Sequence, residues 1–290
     1  MRAMKLSLAV GLCMLCAKVY AFLSTGSAAI FSDAAESIVH NIAVGFALFS
    51  LYYSLRPADR NHPYGHDKIG YFSAGFEGSM IVLAGVVIIA EAIRRWLAGS
   101  APENLDTGLA ITIGATLVNG ALGFYLILKG RENRSLILEA NGRHVLTDSW
   151  TSLGVIVGLL LTRLTGWWPF DPICAIIVAL NIFGSGLRLM LRSYRGLMDE
   201  ADPDIEATLT KVLDEETVKR GITYHELRHR ESGPTTWVDV HLLFPDETPL
   251  RIAHEQATEI EARLDAAIDG PTHVTTHLEP AVDHARVHNA

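Results

Sequence analysis

Long apolar stretches dominate the first two thirds of the chain, at residues 4–23, 29–55, 70–96, 107–128, 139–162 and 167–190. An α-helix needs roughly 20 predominantly apolar residues to cross a bilayer, and each stretch meets that length. Polar and helix-breaking runs separate them: Ser24-Thr25-Gly26-Ser27, Arg56-Pro57-Ala58-Asp59, Gly99-Ser100-Ala101-Pro102, Gly130-Arg131-Glu132-Asn133 and Gly166. Glycine and proline inside the spans are tolerated because helix neighbours satisfy the backbone groups they free. Beyond residue 199 the pattern changes. Ile205, Leu209, Val212 and Leu213 mark a helix over Pro203–Val218, with Asp202 placed to cap it and Pro203 at its first position. Thr223–Arg230 and Thr236–Leu243 read as strands around Glu231-Ser232-Gly233-Pro234, Pro249–Ile268 as a helix and His273–Leu278 as a last strand. The expected fold is an all-α six-helix transmembrane domain over residues 1–199, followed by an α+β domain of αββαβ order over residues 200–290.

The first stretch has a rival reading as a signal peptide, with Arg2 and Lys5 ahead of the apolar run and Ala17-Lys18-Val19-Tyr20-Ala21 as its cleavage site. Lys18 at that site and the odd bundle of five spans left behind favour retention. Charge divides the chain at the same place as hydropathy. Residues 1–199 carry a net charge of +3 and residues 200–290 a net charge of -11, so the total of -8 describes neither part. The mean hydropathy of +0.25 likewise averages a bilayer domain with an acidic, water-soluble one. Such a balance excludes a disordered chain, a collagen and a coiled coil, and the acidic tail argues against nucleic acid as a partner. Arg2, Lys5, Arg56, Arg60, Lys68, Lys129, Arg131, Arg134, Arg188, Arg192 and Arg195 fall on one side of the bilayer, against Arg94, Arg95 and Arg163 on the other. The positive-inside rule therefore predicts a multi-pass membrane protein with both termini cytoplasmic.

Ionisable residues within spans are costly, which makes each one a functional hypothesis. The second span holds Asp33, Glu36 and His40, and the fifth holds His144 and Asp148. Glu36 with His40, and His144 with Asp148, are each four residues apart, which puts both members on one helix face. If the two faces oppose, two imidazoles and two carboxylates converge in the four-ligand set that Zn²⁺ accepts readily. The alternative is a hydrogen-bonded contact within each helix. Asp33 faces the same cavity or serves an outer vestibule or helix cap. An empty site of this kind binds protons in place of the metal, so metal and protons compete for the same groups.

Asp59, His62 and His66 form a second group of metal-ligand types, on a loop short enough to bring them together. In the tail, His225 and His241 lie on adjacent strands, His254 on the second helix, and His277 and Glu279 on one face of the last strand. His229, His273, His284 and His288 read as scattered surface histidines. His254-Glu255-Gln256-Ala257-Thr258 lacks the second histidine of a zincin motif. Three cysteines exclude a disulfide scaffold, and Cys13, Cys16 and Cys174 read as apolar packing residues.

Together, Thr25-Gly26-Ser27, Ser54-Leu55-Arg56-Pro57-Ala58-Asp59, Asn61-His62-Pro63-Tyr64-Gly65-His66, His144-Val145-Leu146-Thr147-Asp148 and Ser232-Gly233-Pro234 resemble the cation diffusion facilitator family of divalent-metal efflux transporters. The resemblance covers nearly the whole chain. It implies six spans and a cytoplasmic metallochaperone-like (ferredoxin-like) domain, in a homodimer of the bacterial inner membrane that exchanges metal for protons by alternating access. It implies a transport site at Glu36, His40, His144 and Asp148, and a loop site at Asp59, His62 and His66. The implied tail site is His225, His241, His254 and His277, with Glu279 where relatives often carry Asp. It also implies a pairing of Lys68 with an acidic residue after the last span, for which Asp199 is the candidate. Glu36 followed by His40 departs from the Asp or His, then Asp, common in relatives. Two nitrogen and two or more oxygen ligands suit Zn²⁺ and Cd²⁺ and leave Fe²⁺, Co²⁺ and Mn²⁺ open. The expectation is therefore proton-coupled efflux of a divalent cation, Zn²⁺ first, with no catalytic cofactor. The rivals are a membrane metal sensor and an intramembrane metallohydrolase, and the latter needs an open coordination position that four ligands close.

Overall fold

The computed structural model describes residues 2–132 and 136–281; the side chains of some further residues, His144 among them, lie outside the described set. Six long helices come first: α1 (Arg2–Thr25), α2 (Ala28–Ser54), α3 (Ile69–Ala98), α4 (Leu105–Glu132), α5 (Leu136–Thr165) and α6 (Phe170–Leu197). The tail adds α7 (Pro203–Arg220), β1 (Thr223–Ser232), β2 (Thr235–Phe244), α8 (Leu250–Ala267) and β3 (Thr272–Pro280), the expected αββαβ order. By length and composition, α2 to α6 each contain a stretch apolar enough to span a membrane. Within α1 the apolar segment, Ala9–Thr25, is shorter. Lys18 interrupts it, and its partner, described below, lies on another helix.

The chain forms two compact units: residues 1–49 with 73–191, and residues 50–72 with 192–290. In the first unit, small residues let helices approach closely, as expected where lipid supplies no hydrophobic drive for association. A Cβ on Gly142 of α5 would meet the Gly123 carbonyl oxygen of α4 at 2.8 Å, and a Cβ on Gly78 of α3 would meet that of Gly186 of α6 at 2.9 Å. Asp171, at the start of α6, accepts from the Ser27 hydroxyl at 2.5 Å and from the backbone N–H groups of Ala28 and Ala29 at 2.7 and 3.3 Å. It thus satisfies the orphan donors at the N-terminus of α2, which no water would reach in a bundle interior.

In the second unit, β1 and β2 form an antiparallel hairpin and β3 runs parallel to β2, giving the order β1-β2-β3. A parallel neighbour needs a crossover, and α8 supplies it. Thr236, Val238, Val240, Leu242 and Phe244 alternate along β2 and are buried. The four apolar ones form one core with Leu209 and Leu213 of α7 and Ile260 and Leu264 of α8. The odd positions Trp237, Asp239 and His241 therefore project from the opposite face, which the two helices leave open. The Asp202 carboxylate accepts from the N–H groups of Asp204 and Ile205, as the capping signal predicts.

His229 departs from its reading as a surface residue. Its side chain is fully buried, and its Nε2 accepts the Asp202 N–H at 3.0 Å, with Glu206 beside Nδ1 at 2.9 Å. The ring thus ties β1 to the start of α7. His273 stacks on Trp237 with ring centroids 4.4 Å apart, while His284 and His288 lie outside the described residues.

Candidate metal sites

Within the helical unit, α2 and α5 bring Glu36, His40 and Asp148 to the wall of one cavity of about 410 Å³. The four-residue spacing on α2 puts Glu36 and His40 on one face, and the Thr151 hydroxyl, one turn beyond Asp148 on α5, donates to Glu36 at 3.1 Å. The Asp148 carbonyl oxygen, 2.8 Å from the same hydroxyl, shares its one proton with Glu36, so Thr151 links the two helix faces. His144 lies one turn before Asp148 on α5, with its side chain outside the described residues. Glu77 of α3 and Asn181 of α6 line the same cavity, and among the described residues no Lys or Arg lines it.

Asp33 lies one turn before Glu36 and is buried at 2% exposure. Lys18 of α1, equally buried, donates to its Oδ1 at 2.9 Å and to the Ser37 hydroxyl at 2.9 Å. The Ser152 hydroxyl of α5 donates to the same carboxylate oxygen at 2.6 Å. Asp33 lies more than a turn inside α2, so it is no helix cap; with Lys18 and Ser152 it joins α1, α2 and α5.

The loop between α2 and α3 gathers Asp59, His62 and His66, with one ligand atom from each within 4.8 Å of the others. Asp59 accepts from the N–H groups of His62 and Asn61, both at 2.8 Å. These bonds, that of His62 first, hold its carboxyl below the ordinary Asp range, ready as an anionic ligand. His66 is buried, and its Nδ1 lies 3.2 Å from the Arg56 carbonyl oxygen. A carbonyl only accepts, so this contact assigns the proton to Nδ1 and leaves the Nε2 lone pair facing Asp59 at 3.5 Å. Lys68 donates to Asp199 at 2.8 Å, the pairing the resemblance implies.

Strand register builds the third group. His225 pairs with His241 across the antiparallel ladder, and His241 with His277 across the parallel one. Three rings therefore stand in a row on the open face, with centroids 4.9 and 4.8 Å apart, the spacing of neighbouring strands. Glu279, two residues beyond His277 and buried, lies 3.1 Å from His225 Nε2 and 2.9 Å from His241 Nδ1. His225, His241 and Glu279 converge within 4.8 Å. His277 stands farther out, its Nε2 at 3.5 Å from Glu279, and His254 is exposed on α8 outside this group.

The residue expectations did not include Lys18, Glu77, Asn181 and Glu226. For Lys18 and Glu77 the signal was present, since each is an ionisable residue inside an apolar stretch, but neither has an i, i+4 partner on its own helix. A register shift between His225 and Arg228 places Glu226 at φ +50 and carries its carboxylate to 3.9 Å from His241 Nε2. Bulges re-aim side chains in this way and leave no sequence pattern of their own.

Residues 4–198 match the family model of the cation efflux transmembrane domain, and residues 201–281 match that of the cation efflux protein cytoplasmic domain, a dimer domain. The chain belongs to the cation diffusion facilitator family. It is thus a multi-pass membrane protein and a cation efflux transporter, of a family whose transported substrates are divalent metal ions. It is 34% identical over 280 residues to the uncharacterized transporter sll1263 of Synechocystis sp., covering 96% of this chain and 89% of that one. It is 27% identical over 282 residues to the cation-efflux pump FieF of Shewanella oneidensis, covering 96% and 93%. A structure of CzrB in its Zn form matches 30% of this chain and 96% of its own at 28% identity, with a TM-score of 0.28, too low to carry an argument.

Proposed function

We propose that this family member is a homodimeric antiporter of the bacterial inner membrane that exports Zn²⁺ from the cytoplasm in exchange for protons. Glu36, His40, His144 and Asp148 bind the transported ion, in a transport domain spanning residues 1–199. The observation that carries this reading is one cavity lined by Glu36, His40 and Asp148, with no basic side chain among its described lining residues. Two carboxylates neutralise a divalent ion, and two imidazoles bring the soft nitrogen character that favours zinc over magnesium or calcium. When the ion leaves, the same groups in a low-dielectric bundle take up protons, so opposite flows of metal and protons follow from one set of side chains. Alternating access exposes the set to one side of the membrane at a time.

Both termini face the cytoplasm in this reading, supported by the excess of Lys and Arg on the side of the even-numbered connections. The loop group Asp59, His62 and His66 binds a further ion. In the tail domain, residues 200–290, His225, His241, His277 and Glu279 bind metal, with His254 as a ligand reached only by rearrangement. Metal there offsets the mutual repulsion of two tails each carrying -11, which stabilises the dimer. The test is zinc uptake into inside-out vesicles driven by a pH gradient. Uptake in the wild type and its loss in Asp148→Ala are expected; wild-type uptake in that variant would refute the site.

A further inference from the structure

Two adjacent hydroxyls of α5 meet two carboxylates one turn apart on α2. The Ser152 hydroxyl, fully buried, donates to Asp33 Oδ1 at 2.6 Å, and the Thr151 hydroxyl donates to Glu36 Oε2 at 3.1 Å. The two carboxylates are not alike. Asp33 has the Lys18 ammonium 2.9 Å from the same oxygen, so its charge is matched within the bundle. Glu36 lines the ion cavity together with Thr151, and among the described residues the Thr151 bond is the one it accepts, which leaves Oε1 free. A threonine hydroxyl carries one proton. At Thr151 that proton lies between Glu36 and the Asp148 carbonyl oxygen, and an ionised carboxylate is the stronger acceptor. The bond therefore holds Oε2 toward α5 and presents Oε1 to an ion. This bears on which ion fits. Zn²⁺ in a closed site takes four ligands in a tetrahedron, and His40, His144, Asp148 and one oxygen of Glu36 make four. With both Glu36 oxygens on the ion, the shell exceeds four and gains oxygen, which moves it toward the set that suits Mn²⁺.

We propose that Thr151 is a positioning residue that sets the ion preference of the transport site, holding Glu36 to coordination through one oxygen and so favouring Zn²⁺ over Mn²⁺. Thr151 acts through Glu36 and is not itself a ligand. The inference rests on the transport-site reading above and deepens it by naming what selects the ion.

The test measures initial Zn²⁺ uptake by the full-length protein in proteoliposomes, and the inhibition of that uptake by Mn²⁺. The quantity read is the Mn²⁺ inhibition constant divided by the Zn²⁺ KM. Thr151→Val keeps the branched shape and removes the hydroxyl, and is expected to lower that ratio about tenfold, the lower end of what one hydrogen bond to a charged group is worth. Thr151→Ser retains the hydroxyl and is expected to stay within about twofold of wild type. A loss of packing alone changes Vmax or the yield of folded protein and leaves the ratio where it was. An unchanged ratio in Thr151→Val, including Mn²⁺ that inhibits neither protein, overturns the proposal, and so does a Thr151→Ser variant that behaves like Thr151→Val. Should Thr151→Val not fold, Thr151→Ala is read by the same ratio. Asp148→Ala, run in parallel, keeps the two ideas apart. Its loss of uptake beside an unchanged ratio in Thr151→Val removes the role of Thr151 alone, whereas its normal uptake removes the ion site itself.

Discussion

The Lys18–Asp33 pair lends itself to a quantitative test. Both side chains are almost wholly buried, at 3% and 2% exposure, so solvent does little to screen them. Asp33 Oδ1 accepts from Lys18 and Ser152, while Oδ2 is buried with no hydrogen-bond partner. Removing one member of a buried ion pair costs about 3–5 kcal/mol, because the remaining charge keeps its desolvation penalty and loses its compensation. The half-satisfied carboxylate puts Lys18→Met at the upper part of that range, while Asp33→Asn still leaves Lys18 its bond to Ser37. The double variant Lys18→Met/Asp33→Asn leaves no unpaired charge, so its loss falls well short of the sum, with a coupling energy of at least ~2 kcal/mol. The assay is unfolding of the detergent-purified protein followed by tryptophan fluorescence. Each kcal/mol corresponds to about 2–4 °C for a unit of this size, so a single substitution shifts the midpoint by roughly 6–20 °C. Additive effects, with coupling under about 0.5 kcal/mol, would show that the two charges do not stabilise each other.

Three other outcomes follow from the second unit. Gly233 has φ +61, and a Cβ there would lie 2.9 Å from Asp67 Cβ; Gly233→Ala is expected to lose about 1–2 kcal/mol in denaturant unfolding, and no loss would contradict the fit of loop to hairpin. With Asp59 and Asp148 already replaced by Ala, Glu279→Gln is expected to weaken zinc binding to the tail by at least about tenfold in a dye-competition titration, and an unchanged affinity removes Glu279 from the ligand set. Glu216 accepts from Lys219 and Arg220, which pull its carboxyl from 4.5 down to about 2. Because the folded value is depressed, its contribution is complete above about pH 4.5 and disappears as the pH falls through about 2. The stability gap between wild type and Glu216→Gln should close over that window; a gap that widens toward low pH is the contrary result.

The order of elements was legible because its signals are local. Spans declare themselves by apolar length, Asp202 and Pro203 announce α7, and Ser232-Gly233-Pro234 marks the hairpin, whose ladder runs closer to the turn than periodicity alone suggests, by two residues on β1 and one on β2. The triad on the α2–α3 loop was legible for the same reason, since its members lie within eight residues of one another. What spacing does not encode is which residue on one helix meets which on the next. Lys18 weighs against a cleavage site in the sequence, yet its role is set by Asp33, 15 residues on and across a helix turn-around. Glu77 has no ligand type within one turn of it, and only packing against α6 brings it to the cavity. In the tail, the row of three histidines depends on strand register, and the positive φ of Glu226 depends on a bulge; both are decided by tertiary pairing. His229 looks like any other tail histidine until the start of α7 closes over it.

The central claim is that one set of side chains binds metal and protons in turn. Its most direct test is a simultaneous record of zinc uptake and internal pH in vesicles containing the full-length protein, for wild type and for Asp148→Ala. A zinc pulse is expected to alkalinise the lumen in step with uptake, because protons leave as zinc enters, and both signals should vanish together in Asp148→Ala. Zinc uptake without proton movement in the wild type, or undiminished exchange in Asp148→Ala, would contradict it.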